Sequence, residues 1–238
     1  GGIILIACVI VSLLIANSSI GIDFEKLLET EVGFRSESLH LRYSILMWIN
    51  DGLMAIFFLM VGLEIKRELV EGELSSFKQA ALPVVAALGG VMVPAAIYFF
   101  LNKGTETAAG WGIPMATDIA FAIAIVTMLG DKVPSSLKVF LAALAIVDDL
   151  MAILVIAIFY SSDLHYMYLL YAGVIFLVLL GLNKWGVKSL WAYLIPGAFI
   201  WYFIHHSGVH ATIAGVLTAF AIPTTPDAKE SPLEKLEH

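Results

Sequence analysis

The stretch "LAALAIVDDLMAILVIAIFY", residues 141–160, decides how the rest of the chain is interpreted. It is long enough to cross a bilayer as a helix, since a crossing needs about 20 mostly apolar residues. Two adjacent carboxylates, Asp148 and Asp149, lie at its centre. An acid at that depth costs about 2.5–3.5 kcal/mol on insertion scales, so both residues are candidates for a functional site. The alternative is that they form buried ion pairs with another helix.

The composition agrees with a membrane-spanning helix. Hydrophobic residues make up 60% of the chain and charged residues 14%, and the mean hydropathy is +0.93. A soluble domain averages about 45–50% apolar and about 25% charged residues. We predict an all-α integral membrane protein, the alternative being a soluble protein with very buried helices. The single cysteine, Cys8, excludes an intrachain disulfide, and a net charge of −7 without a basic stripe does not indicate nucleic-acid binding.

Apolar residues fall into eight segments, which predict a transmembrane domain over residues 1–222. The chain opens at Gly1 without a methionine, and its polar tail, residues 223–238, ends where a ninth span is expected to begin. We therefore expect the chain to continue at both ends. Nine of the 13 basic residues share one side if the first segment starts in the cytoplasm, which favours a cytoplasmic N-terminus and a cytoplasmic tail. The segments are about 1–20, 43–65, 80–101, 107–129, 134–160, 166–183, 189–205 and 207–222.

The loop after the first segment, about residues 28–43, has a different pattern. Its sequence "LETEVGFRSESLHLRY" alternates apolar and polar residues on both sides of a serine-rich centre. This pattern predicts a two-stranded hairpin outside the membrane, and an irregular polar loop is the alternative. A lone hairpin is marginally stable in water, so we expect it to pack against something, such as a second copy of the chain.

The run "GWGIPMATDIAF", residues 110–121, indicates a broken helix. Two glycines and a proline precede Thr117 and Asp118, and such breaks at membrane depth occur where backbone lines an enclosed cavity. The Thr117 hydroxyl, the Asp118 carboxylate and freed carbonyls are hard oxygen ligands for a small cation. Asp51 lies nearer the outer end of its segment, where an acid can also simply reach the headgroups.

Three carboxylates therefore share the predicted midplane: Asp118, Asp148 and Asp149. Neighbouring helical residues point about 100° apart, so one acid of the pair should face Asp118 and the other a neighbouring helix. Desolvation and mutual repulsion favour protonated acids, so protons and a metal cation would compete for the same oxygens.

Two further polar clusters have alternative interpretations. The run "GLEIKREL", residues 62–69, is either an interfacial anchor of snorkelling charges or a charged pH sensor. The histidines at the junction of the last two segments, His205, His206 and His210, are interpreted as interfacial residues.

Four stretches in this order resemble the NhaA family of bacterial sodium/proton antiporters: "MWINDGLMAIFFLMVGLEIKREL", "GWGIPMATDIAFAIAI", "LAALAIVDDLMAI" and "SGVHATIAGV". The resemblance implies part of an inverted-repeat transporter fold, of which this family is itself a known example. It implies electrogenic, pH-regulated exchange of Na+ or Li+ for protons across the bacterial inner membrane. No cofactor and no enzymatic activity are expected.

The resemblance also assigns roles to residues and segments. Asp149 is the main ion- and proton-binding carboxylate, with Asp148, Asp118 and Thr117 completing a transient site for Na+ or Li+. Asp51 is a supporting acid, and the hairpin at 28–43 is the contact of a homodimer. The pH-sensing residues implied are Glu64, Arg67, Glu68, His210, Glu237 and His238.

Two other functions remain open from the sequence. One is a proton channel or sensor that uses the acids without metal coupling. The other is a fragment that lacks the second broken-helix repeat and cannot transport ions alone. A retinal-based pump is disfavoured because no lysine is buried in the membrane, and an ATP-driven pump because no G-x-x-x-x-G-K-[ST] run exists.

Overall fold

The computed structural model describes residues 2–35, 40–70, 72, 74–161 and 164–223. Helices form most of it, together with one two-stranded hairpin. In chain order the elements are α1 (Gly2–Ala16), α2 (Gly21–Glu29), β1 (Glu31–Arg35), β2 (His40–Ser44), α3 (Ile45–Met47), a π-helical turn (Trp48–Leu53), α4 (Met54–Val70), α5 (Phe77–Asn102), a 3-10 segment (Glu106–Met115), α6 (Ile119–Met128), a 3-10 turn (Gly130–Lys132), α7 (Ser135–Phe159), α8 (Tyr166–Lys184), α9 (Trp191–His205) and α10 (Thr212–Ala221).

Each of the eight predicted apolar segments contains helix, which confirms the predicted all-α membrane bundle. Their number of membrane crossings stays a prediction. Within the described residues, four helices are individually long and apolar enough to cross a membrane, and a fifth crossing is possible if α1 and α2 count as one bent span. The four are Ile45–Val70, Ala80–Asn102, Ser136–Phe159 and Tyr166–Lys184.

The first apolar segment, about residues 1–20, is not one continuous helix. α1 ends at Ala16, and α2 leaves it at an angle of 103°. The Asn17 side chain donates to the Leu13 carbonyl over 2.8 Å, and the Ser18 hydroxyl donates to the Ile15 carbonyl over 2.9 Å. These polar side chains bond to the last turn of α1, which ends the helix there.

The best-packed region is formed by α4, α8, α9 and α10. Leu63, Leu179, Tyr193 and Ile200 are almost completely buried there. Inside a bilayer, close van der Waals packing rather than exclusion of water holds helices together. Packing this close requires small side chains. A Cβ atom on Gly215 would lie 2.2 Å from the Ala55 carbonyl oxygen, so α4 and α10 meet backbone to backbone.

The C-terminus of α10 is held by side chains from two other helices. The Lys66 ammonium donates to the carbonyl of Phe220 over 2.8 Å and also to that of Ile222. The Asn183 amide donates to the Ala221 carbonyl over 2.7 Å. The last carbonyls of a helix lack intrahelical partners, so these donors stabilise its end. Lys66, expected to be an interfacial anchor or part of a sensor, is therefore a cap of α10.

The predicted hairpin is present, with β1 and β2 paired antiparallel and Val32 opposite Tyr43. Gly33 has a φ of 131°, and a Cβ there would meet the Leu41 carbonyl, so this position requires glycine. The hairpin packs against its own bundle, because the Trp48 indole donates to the Val32 carbonyl over 2.9 Å. A second copy of the chain, which the sequence suggested as a packing partner, is not needed to explain this placement.

Candidate cation site

The predicted break in the fourth apolar segment is confirmed. The 3-10 segment ends at Met115, Ala116 and Asp118 have extended backbone, and α6 begins at Ile119. The first half is a 3-10 helix rather than an α-helix, and the break follows Pro114 by two residues. Two glycines and a proline make this half a poor α-helix, which explains the difference.

A tyrosine that the sequence did not single out anchors the 3-10 segment. Tyr160, at the end of α7, donates its hydroxyl to the Ala109 carbonyl over 2.8 Å. The same hydroxyl accepts the Gly112 amide over 2.9 Å. One side chain thus satisfies two backbone groups of the segment and fixes it to α7. The only available sequence signal was that Tyr160 ends the stretch 141–160, which also contains the acid pair.

The extended stretch meets the acid pair through one hydrogen bond. The Thr117 hydroxyl donates to the Asp148 carboxylate, and Asp148 is buried with 6% of its surface exposed. Asp149 is half-buried and lies within electrostatic reach of both Asp148 and Asp118. The structure therefore brings together the four residues that were predicted for the ion site. The sequence did not indicate that Asp148, rather than Asp149, contacts Thr117.

Asp118 has a structural role in addition to its charge. It is the N-cap of α6, and its carboxylate accepts the Phe121 amide over 2.9 Å. The Asp118 side chain is exposed and lines a cavity of about 640 Å³ whose other wall is α1. Leu5, Val9 and Leu13 face this cavity, so its surface is otherwise mostly apolar. A cation entering it would meet one carboxylate.

The three carboxylates of the predicted ion site have no cationic neighbour in the part of the chain that the structure describes. No lysine, arginine or histidine there lies within ion-pair distance of Asp118, Asp148 or Asp149. No group of three or more His, Cys, Asp or Glu side chains converges among the same residues. A cation here would use the acid pair, the Thr117 hydroxyl and backbone carbonyls of the break as its ligands.

Asp51 lies apart from these acids in a different environment. It sits in the π-helical turn, and its carboxylate contacts the His205 imidazole over 3.1 Å. The Trp201 indole donates to the Asp51 carbonyl over 2.8 Å. The His205 side chain is only 13% exposed. This pairing was not predicted.

The implied pH-sensing residues are only partly brought together. Arg67 and Glu64 form an ion pair of 2.7 Å, and Glu68 is half-buried one residue after Arg67. His210 is exposed just before α10, whereas Lys66, beside Arg67, holds the opposite end of that helix. The length of α10 therefore separates His210 from the Glu64–Arg67 pair. Glu237 and His238 lie outside the described residues.

The fold and the site together define a multi-pass α-helical membrane protein in which a broken span meets a buried acid pair. The family model described as Na+/H+ antiporter 1 matches residues 1–238. The chain belongs to this family, as its sequence resemblance predicted.

Curated relatives are similar along the whole chain. It is 66% identical over 239 residues to "Na(+)/H(+) antiporter NhaA 2" of Flavobacterium johnsoniae. That alignment covers 100% of the chain and 59% of the relative. It is 54% identical over 238 residues to "Na(+)/H(+) antiporter NhaA" of Cytophaga hutchinsonii, with coverages of 100% and 59%. For the protein of the same name from Wolinella succinogenes, the identity is 54% over 225 residues, with coverages of 94% and 50%. The chain thus spans between half and three fifths of the length of these relatives.

Proposed function

We propose that this chain forms the ion-binding part of an antiporter that exchanges Na+ or Li+ for protons. The hydrogen bond between Thr117 and Asp148 is the main support, because it joins the unwound stretch of one span to the acid pair of another. The antiporter names of the relatives support the same activity. The transported ions are the only small molecules that this proposal requires, so no cofactor and no enzymatic reaction are included.

The chemistry follows from competition for oxygen atoms. Asp149 is the principal ligand, and Asp148, Thr117 and Asp118 supply further oxygens for a hard cation. A carboxyl group that holds a proton is a poor ligand, so cation loading releases protons and protonation releases the cation. Because Asp148 and Asp149 can give up two protons for one monovalent cation, exchange through this pair would carry net charge and be electrogenic.

Reconstitution tests this activity. The protein is placed in liposomes that contain a pH-sensitive dye, and a Na+, Li+ or K+ gradient is imposed. We expect proton movement with Na+ and Li+ but not with K+, and its loss in Asp149→Asn. Retained exchange in Asp149→Asn would contradict the proposal. Proton flux that is the same with and without Na+ would indicate a proton channel instead.

The Glu64, Arg67 and Glu68 cluster is proposed to set the pH at which exchange begins, together with His210, Glu237 and His238. Its support is that neighbouring Lys66 caps α10, so a change of charge in this run acts next to a packed helix end. Glu68→Gln should shift the pH at half-maximal exchange, whereas Glu25→Gln on α2 should not. An unchanged pH profile in Glu68→Gln would remove Glu68 from the sensor.

The protein is proposed to lie in the bacterial inner membrane with a cytoplasmic N-terminus and to form a homodimer through the hairpin. The alternate residues Val32 and Phe34 are exposed on the same face of β1, by 50% and 65%. Val32→Cys in a Cys8→Ser background should form crosslinked dimers in membranes, and Leu101→Cys, also exposed, should not. Absence of dimers with Val32→Cys would contradict this interface.

A further inference from the structure

The contact between the Asp51 carboxylate and the His205 imidazole lies at the meeting point of three segments. Asp51 comes from the π-helical turn and His205 from the end of α9, and Tyr43 comes from the end of β2. The Asp51 carboxylate is 3.1 Å from the His205 Nδ1, with side-chain exposures of 20% and 13%. A pair this shielded from water is screened less by salt than a surface pair.

Aromatic rings surround the imidazole of His205. The Trp201 ring stacks on it with centroids 5.7 Å apart, and the Tyr43 ring meets it edge-on at 4.7 Å. Rings within about 6 Å favour a cation that faces them, and a carboxylate favours it further. The His205 ring is thus packed against a carboxylate and two aromatic rings.

The same cluster holds the hairpin. The Tyr43 hydroxyl lies 3.4 Å from His206 Nε2, and Tyr43 also packs against His205. Trp48 bonds to the Val32 carbonyl of β1 and stacks on Trp201 at 5.9 Å. Burial raises the pKa of the Tyr43 hydroxyl, and Tyr202 and Asp51 raise it further, so Tyr43 remains a neutral partner. The hairpin is thus attached to the bundle next to the ion pair.

We propose that His205 is a positioning residue whose protonation clamps the hairpin and Asp51 to the end of α9. A histidine changes charge between about pH 5 and 8. At the acid end of that range the charged pair and the facing rings hold the three segments together, and at the alkaline end the imidazole is neutral and the clamp weakens. This inference does not depend on ion exchange, because the clamp is a property of the resting protein.

Each segment packed around His205 also carries titratable groups. Asp51 is the acid that faces it, and Tyr43 of the hairpin and Tyr202 of α9 are phenols. The His206 ring lies 5.3 Å from the His205 ring, so positive charges on both would repel. Tyr168 of α8 and, through it, His165 face His206 rather than His205.

Hydrogen exchange of the β1 and β2 amides in the intact protein tests the clamp. Protection, corrected for intrinsic exchange, should fall roughly tenfold between pH 5.5 and 8.5 in the wild type, the difference expected between a charged and a neutral hydrogen bond. His205→Gln and Asp51→Asn should each abolish this pH dependence, and the double variant should add nothing. His165→Gln is the matched control and should behave as the wild type.

A permanently charged variant separates the clamp from a merely structural role. His205→Arg should keep the hairpin protected across the whole pH range, whereas a structural histidine would be damaged by it at every pH. The inference is overturned if wild-type protection is independent of pH, or if His205→Gln keeps the wild-type profile. If circular dichroism shows that His205→Gln does not fold, the pH profiles of the wild type, Asp51→Asn and His206→Gln still test the inference. A pH-dependent protection that persists in Asp51→Asn contradicts the assignment to His205. A pH dependence that is lost in His206→Gln contradicts it too.

Discussion

Two kinds of carboxylate lie in the spans of this protein, and they differ in their partners. Asp51 contacts a histidine over 3.1 Å, and its backbone carbonyl accepts a tryptophan indole. Asp148 accepts only a neutral hydroxyl among the contacts of the described residues, and Asp149 faces the charges of Asp148 and Asp118. The Asp51 carboxylate therefore has a ring nitrogen as a polar partner. Acids that repel each other are the ones that gain most from a proton or a cation.

The largest difference is expected when each kind of acid is neutralised. Asp148→Asn should lower the rate of Na+-driven proton release in liposomes roughly a hundredfold, because a proposed charged ligand of the ion is lost. Asp51→Asn should lower the rate less than about tenfold, since Asp51 is not among the proposed ligands of the ion. Equal losses in the two variants would remove the distinction between them.

The pH dependence of Na+ binding sharpens the same comparison. Binding needs ionised carboxylates, so the affinity for Na+ should fall as the pH falls, by up to about a hundredfold per unit if the acid pair gives up two protons per ion. Isothermal titration calorimetry in two buffers of different ionisation enthalpy counts the released protons. Asp51→Asn should keep this slope and Asp149→Asn should lose it. An affinity that does not change with pH would show that protons and Na+ use different groups.

The hydrogen bond between the broken span and α7 should have a smaller effect. Thr117→Val removes the hydroxyl but keeps the branched shape, and we expect exchange to fall about threefold to tenfold, the net value of one typical hydrogen bond. Thr117→Ser keeps the hydroxyl and should remain near the wild-type rate. If serine and valine behave alike, the methyl group rather than the hydroxyl matters at this position.

The smallest effect concerns stability. Asp51→Asn and His205→Gln should each lower the melting temperature at pH 6 by about 2–4 °C, as expected for a loss of about 1 kcal/mol in a chain of this size. A double-mutant cycle should give a coupling free energy of about 0.5–1 kcal/mol, because the pair is largely shielded but not fully buried. Additive losses would mean that the two side chains do not interact.

The features that depend on the bilayer were predictable from the sequence. The apolar segments follow from the thickness of the membrane, and the break near Thr117 follows from two glycines and a proline. The hairpin follows from the alternation around residues 31–35 and 40–44. Each of these depends on local sequence alone, so one sequence was sufficient.

The features that depend on packing between distant segments were not predictable. Nothing local indicates that Tyr160 bonds to Ala109, or that His205 reaches Asp51 across 150 or so residues of chain. Lys66 shows the same limit, because its sequence position next to Arg67 favours a surface charge and only the fold places it against α10. For the acid pair, helix geometry required that the two side chains point in different directions. It did not determine which of them contacts Thr117.

The contact between α4 and α10 has a consequence for the evolution of this chain. Any residue other than glycine at position 215 adds a Cβ atom, and that atom would lie 2.2 Å from the Ala55 carbonyl oxygen and 2.8 Å from the Leu59 amide nitrogen. Both obstacles are backbone, so no exchange of a neighbouring side chain can make room. No residue other than glycine therefore fits at position 215, and a substitution there would require a compensating shift of a whole helix.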